Sequence, residues 1–182
     1  PLGEGFDGRP GYPLVSFYAT AAELQGACEV TASVSPIYGC NYYVEQSGMR
    51  CTYDPAGTMF YKVSLVELWD EDSGTYQTLD TSAANTELYR IAVDAYTASL
   101  MYTLEDLTFG VLSITPKTAE GVPMDTVYDG LVDTHLGVAG IQELKLWEAL
   151  VDHAQSLPDT DGDGIADVPA SYATPAGRII TE

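Results

Sequence analysis

The run Tyr61–Trp69 is almost continuously apolar. It is far shorter than the ~20 residues a membrane-crossing helix needs, but it suits a β-strand covered on both faces. A chain with such a strand must supply a sheet to hold it and further elements to cover it. The segments Leu14–Tyr18, Tyr42–Val44, Gly48–Tyr53, Tyr76–Leu79, Leu88–Val93 and Val111–Thr115 have strand character, and Tyr89, Ile91 and Val93 share one face. Thr20 followed by Glu23 forms a capping box that opens a short helix to about Glu29. A second helix is expected from Ala95 to about Leu104. A third runs from Ile141 to Leu157, where Ile141, Leu144, Trp147, Val151 and Ala154 form one stripe and Pro158 ends it. Strands and helices mix without βαβ alternation, so the expected class is α+β, a mixed β-sheet packed with helices. No repeat or Ser/Gly linker divides the 182 residues, which read as a single domain, 1–182.

Seven Lys and Arg stand against 27 Asp and Glu, a net charge of −20. Such a surface repels phosphate backbones and anionic lipid, which argues against nucleic-acid and membrane-surface binding, and no apolar run approaches the ~20 residues that membrane insertion as a helix needs. Pro1-Leu2-Gly3-Glu4-Gly5 reads as the inside of a loop, so the chain is expected to be part of a longer or processed product. Cys28, Cys40 and Cys51 lack CxxC spacing and a nearby His, which disfavours a zinc site. They are either three buried thiols or one disulfide and one thiol. The acidic, Tyr-rich composition suits an exported protein (periplasmic, cell-surface or extracellular), and Cys28–Cys40 would join a helix end to the following loop. The 13 tyrosines fall mostly on expected strands, and Tyr42, Tyr43, Tyr61, Tyr76 and Tyr89 are read as sheet packing.

One site stands on its own. Asp159-Thr160-Asp161-Gly162-Asp163-Gly164-Ile165-Ala166-Asp167 reads D-x-D-x-D-G-x-x-D, the front half of an EF-hand-like loop. Asp159, Asp161, Asp163 and Asp167 would converge on Ca²⁺, with Gly164 at the sharp turn. Ile165 would offer its carbonyl oxygen while its side chain packs inward. The usual acidic residue closing such a loop is Ala170 here, so a further ligand must come from elsewhere. The pattern also resembles thrombospondin type 3 calcium repeats. His135 and His153 lie outside any metal-binding cluster; His135 can hydrogen-bond near Asp133, and His153 suits a helix C-terminus. No catalytic constellation is visible, so this chain alone is expected to be inactive.

Four stretches occur in a recognisable order: Pro13-Leu14-Val15 through Thr20-Ala21-Ala22-Glu23-Leu24; Gln46-Ser47-Gly48-Met49-Arg50 with Thr52-Tyr53-Asp54; Glu87 to Val93; and Gly177-Arg178-Ile179. On these the chain resembles the C-terminal domain of the 5'-nucleotidase/UDP-sugar hydrolase family. The resemblance implies an upstream metallophosphoesterase domain holding the catalytic divalent metals. It also implies a role for this domain in capping that centre and binding a nucleotide or other phosphate ester. Tyr12 and Tyr102 match the positions of the two stacking aromatics, and the calcium loop at 159–167 looks inserted. The family's Gly-rich nucleotide loop is replaced by Asp94 to Tyr102, and Ser99-Leu100-Met101-Tyr102 cannot bring backbone as close to a ligand. That departure supports an alternative, a non-catalytic, calcium-stabilised extracellular binding domain that has kept the fold.

Overall fold

The protein is described by a computed structural model over residues 3–182; the opening loop is seen from Gly3 onward, and Pro1 and Leu2 lie outside the described residues. Strand β1 (Leu14–Thr20) runs directly into helix α1 (Ala21–Glu29) because Thr20 caps it as expected. The Thr20 N–H donates to Glu23 Oε2 at 2.8 Å, and Glu23 N–H donates to Thr20 Oγ1 at 3.3 Å. The helical path continues past Glu29, through a buried π-turn at Val30–Val34 and a short helix α2 (Ser35–Tyr38). Gly39, at φ 100°, then turns the chain out. Glu29 explains the continuation. Its buried carboxylate accepts from Ser33 Oγ at 2.8 Å and from Val63 N–H at 2.6 Å, so the next helical turn supplies part of its satisfaction.

A four-stranded mixed sheet has the order β4-β3-β2-β6, with β2 at Met49–Tyr53, β3 at Val63–Asp70, β4 at Thr75–Thr78 and β6 at Ile179–Thr181. β3 is antiparallel to β2 and β4, whereas β6 pairs parallel with β2, Cys51 opposite Ile179. A two-stranded sheet pairs β1 with β5 (Leu88–Asp94). Asp94 caps helix α3 (Ala95–Leu107), its Oδ1 accepting from Thr97 N–H at 3.0 Å. Mixed sheets with helices make the fold α+β, as the pattern predicted.

The chain forms two compact units. One comprises residues up to Phe17, Ile91–Leu100 and Met124–Ala176; the other comprises Tyr18–Arg90, Met101–Pro123 and Gly177–Glu182. In the second, Val30, Val34, Leu104, Leu112 and Ile114 form an apolar cluster. β3, however, is not covered on both faces: Val63 and Val66 are buried, whereas Ser64 and Trp69 are exposed and Tyr61 precedes the strand in solvent. On the less covered face Arg50 grips Glu67 through Nε at 2.6 Å and Nη2 at 2.9 Å, so an ion pair stands where an apolar layer was expected. Tyr43 is exposed too, which corrects its assignment to sheet packing.

Two expected strands, Tyr42–Val44 and Val111–Thr115, are not strands, and for one reason. Thr31 Oγ1 bonds both the N–H and the carbonyl of Val44, at 3.0 and 3.2 Å. Leu112 N–H donates to Thr108 Oγ1 at 3.0 Å, and Thr115 N–H to Glu23 Oε1 at 2.9 Å. Side chains satisfy the backbone groups a ladder would have used. The Cys28–Cys40 disulfide is also absent: all three cysteines are thiols, with Cys28 buried and Cys40 exposed on a 3₁₀ turn.

In the first unit the last helix, α4, covers Leu146–Ser156 and starts later than its apolar stripe suggested. Lys145 accounts for the difference. It has no exposed surface, and its Nζ lies 2.6 Å from both Asp7 Oδ1 and Glu143 Oε2. Glu143 and Lys145 can point inward together only if that segment is extended, because alternate residues share a face in a strand and not in a helix. Helix α4 then begins where Glu148 Oε2 accepts the Lys145 N–H at 3.0 Å. The opening loop closes over this cluster at Gly5, where a Cβ would fall 1.8 Å from Lys145 Nζ.

Candidate functional site

The acidic loop follows α4 and is drawn together by its own backbone. Asp159 Oδ1 accepts from Gly162 N–H at 2.7 Å and Oδ2 from Gly164 N–H at 2.9 Å. Gly162 and Gly164 adopt φ of 80° and 87°, a left-handed turn that other residues rarely enter. Asp167 N–H donates to the Pro158 carbonyl at 2.9 Å, which closes the base of the loop. Thr160 donates to Asp167 Oδ2 through both its hydroxyl and its N–H. The amides of Gly164 and Gly162 hold the Asp159 carboxyl below its ordinary range, and Thr160 does the same for Asp167.

Three of the expected ligands come together. One carboxylate oxygen each from Asp159, Asp161 and Asp167 lies within 4.8 Å of the others. Oxygen ligands around Ca²⁺ sit at roughly 2.3–2.6 Å from the ion and so at most about 5 Å from each other. The spacing and the all-oxygen donor set therefore fit a hard cation. Asp163 is outside this group; its Oδ1 accepts from Ile165 N–H at 2.8 Å instead. The Ile165 side chain does not pack inward but is 69% exposed, since the loop presents no apolar surface to receive it. Thr160 escaped the sequence reading because the motif marks carboxylates and not the hydroxyl that orients one of them.

Tyr12 meets Tyr96 in the first unit, ring centres 5.7 Å apart, and the backbone of Gly3 lies against the Tyr12 ring. Tyr102 lies on α3 in the second unit, partly exposed. His135 bonds locally as expected: its N–H donates to Asp133 Oδ1 at 2.9 Å, and Nδ1 is 2.9 Å from Thr134 Oγ1. His153 Nε2 lies 3.1 Å from Tyr172 Oη.

An open cleft in each unit was also not revealed by the sequence. In the first, about 420 Å³ is lined by Arg9, His135, Gln142, Glu143, Glu148 and Asp152. In the second, about 360 Å³ is lined by Ser47, Gly48, Trp69, Glu71, Tyr76 and Arg178. The residues of each come from separate segments, so no local motif announces either.

No protein-family model matches the chain, and no curated protein matches it by sequence. Among solved structures it is similar to the 5'-nucleotidase precursor of Thermus thermophilus, with 20% identity over 94% of this chain and a TM-score of 0.56. It also aligns with the NAD nucleotidase of Haemophilus influenzae, at 14% identity over 54% of this chain and 17% of that one, with a TM-score of 0.43. The chain spans about a quarter, 25%, of the Thermus protein's length. The resemblance read from the four motifs is thus borne out in the fold, which is that of part of a 5'-nucleotidase precursor.

Proposed function

We propose that this chain is the C-terminal domain of an exported, 5'-nucleotidase-like, metal-dependent phosphoester hydrolase. In that reading it carries no catalytic residues, caps the metal centre of an upstream metallophosphoesterase domain and holds the non-reacting part of a nucleotide or other phosphate ester. The observation that carries the proposal is the fold likeness over 94% of the chain to a quarter of the Thermus 5'-nucleotidase precursor. The α4 side chains Trp147, Leu150 and Val151 support an apposed partner surface, since they form an apolar stripe left in solvent. The test is hydrolysis of nucleoside 5'-monophosphates and other phosphate esters by the full-length protein. Metal-dependent phosphate release is expected there, with none from these 182 residues alone. No hydrolysis by the full-length protein would overturn the reading.

A second reading is favoured by one observation: the segment that replaces the Gly-rich nucleotide loop, apart from its first residue Asp94, belongs to the continuous helix α3. A calcium-stabilised binding domain that has lost nucleotide recognition would have this feature. Calorimetry with AMP separates the two. Saturable binding that disappears in Tyr102→Ala supports a substrate role for Tyr12 and Tyr102; no binding at millimolar AMP supports the second reading.

In both readings we assign Ca²⁺ to the loop, held by Asp159, Asp161 and Asp167, with Asp163 and the Ile165 carbonyl as the further donors the motif suggests. The ion would neutralise converging carboxylates on a chain of net charge −20 and fix the loop ahead of β6. Binding to the folded state alone raises stability by mass action. Chelation should therefore lower the melting temperature by several degrees, Asp161→Ala should reproduce the chelated value, and Mg²⁺ should substitute poorly. An identical melting curve with and without chelator would overturn the assignment.

A further inference from the structure

The three cysteines differ sharply in their surroundings. Cys40 is exposed, whereas Cys28 near the end of α1 and Cys51 in the middle of β2 are both buried in the second unit. The side-chain amide of Gln46 touches both buried sulfurs. Its Nε2 donates to Cys51 Sγ at 2.9 Å, and its Oε1 accepts from Cys28 Sγ at 3.9 Å. Each of the two thiols acts on the ionisation of the other more strongly than any other neighbouring group does. We infer that Cys28 and Cys51 join as a disulfide when the chain folds under oxidising conditions, leaving Cys40 as the free thiol.

A disulfide needs specific placement of its two sulfurs, about 2.05 Å apart, and separated cysteines cannot meet it without backbone movement. Here helix and sheet have already brought one pair to the two polar atoms of a single side-chain amide, that of Gln46. The thiolate of one of the two cysteines attacks one sulfur of a small-molecule disulfide and expels a thiolate. The other cysteine sulfur then attacks the resulting mixed disulfide, and its proton goes to the second departing thiolate. One disulfide reagent is reduced to two thiols and one protein disulfide forms. Because both sulfurs are buried in the finished fold, exchange takes place while the fold is closing, and native packing selects the pair.

The inference is tested by refolding the full reduced chain in a glutathione/glutathione disulfide buffer, alkylating it in denaturant and digesting it for mass spectrometry. The expected product has lost two hydrogens, about 2 Da, carries a single alkyl label on Cys40 and yields a peptide linking Cys28 to Cys51. Cys40→Ser should form the same link and melt several degrees higher oxidised than reduced, a difference that dithiothreitol removes. Three labelled cysteines after oxidative refolding, or a link that includes Cys40, would overturn the inference.

Discussion

The two units bury their interiors by different means. The second relies on apolar contact, with Val30, Val34, Leu104, Leu112 and Ile114 packed together and its ion pairs, Glu23–Lys117 and Arg50–Glu67, less fully buried. The first places an ion cluster inside: Lys145 is enclosed, with Asp7 and Glu143 both at 2.6 Å from its Nζ. An apolar core tolerates loss of a few atoms at the cost of a cavity. A buried charge tolerates loss of a partner much less well, because the remaining ion is left without compensation. The first unit should therefore be the more brittle under substitution.

Each unit has its own reporter, Trp147 in the first and Trp69 in the second. Lys145→Met strands the buried Glu143 carboxylate and should cost about 4 kcal/mol, the largest effect expected here. In urea titrations the Trp147 signal of a Trp69→Phe background should move further than the Trp69 signal of a Trp147→Phe background. Equal movement would mean that one cooperative transition spans both regions, and the contrast would fail. The matching change in the second unit, Leu104→Ala, should cost about 3 kcal/mol through lost burial and a cavity. Its effect should register first at Trp69. A loss at Leu104 larger than that at Lys145 would reverse the ranking.

The same contrast governs what could be read in the sequence. Thr20 and Glu23, or Asp94 and Thr97, lie three positions apart, so the caps that start α1 and α3 follow from local spacing. The carboxylates of the acidic loop sit within one short motif, and three of them do converge. Lys145 meets Asp7 across 138 positions, and no pattern in 141–145 announces that meeting. The apolar stripe from Ile141 onward reads as helix because periodicity counts apolar residues and ignores a charge that must be buried. The lost strands fail similarly: Thr31 and Thr108 reach backbone groups that strand propensity assigns to a neighbouring strand. Thr20→Ala should cost only about 1 kcal/mol, the usual worth of a helix cap, and should be read by Trp69. No change in the midpoint would show that Glu23 is held by its other partners alone.

Those partners give the smallest and most selective test, a pH dependence. Burial acts to raise the Glu23 carboxyl, but Lys117 Nζ at 2.6 and 2.7 Å and the N–H groups of Thr20 and Thr115 outweigh it and hold the group below its ordinary value. An unfolded glutamate titrates near its reference value of about 4.3. The unfolded chain therefore takes up this proton at a higher pH than the folded chain does. The resulting stability is fully present above the unfolded value and is lost as pH falls through the lower folded one. Lys145 has the opposite sign: burial lowers it, Asp7 and Glu143 more than compensate, and its contribution fades only as alkaline pH rises through its raised value. Glu23→Gln should consequently flatten the acid limb of the Trp69 melting profile below about pH 4.3 and leave its alkaline limb unchanged. An acid limb of unaltered slope would place the second unit's acid sensitivity elsewhere, with Glu67, which Arg50 holds low, as the next carboxylate to replace.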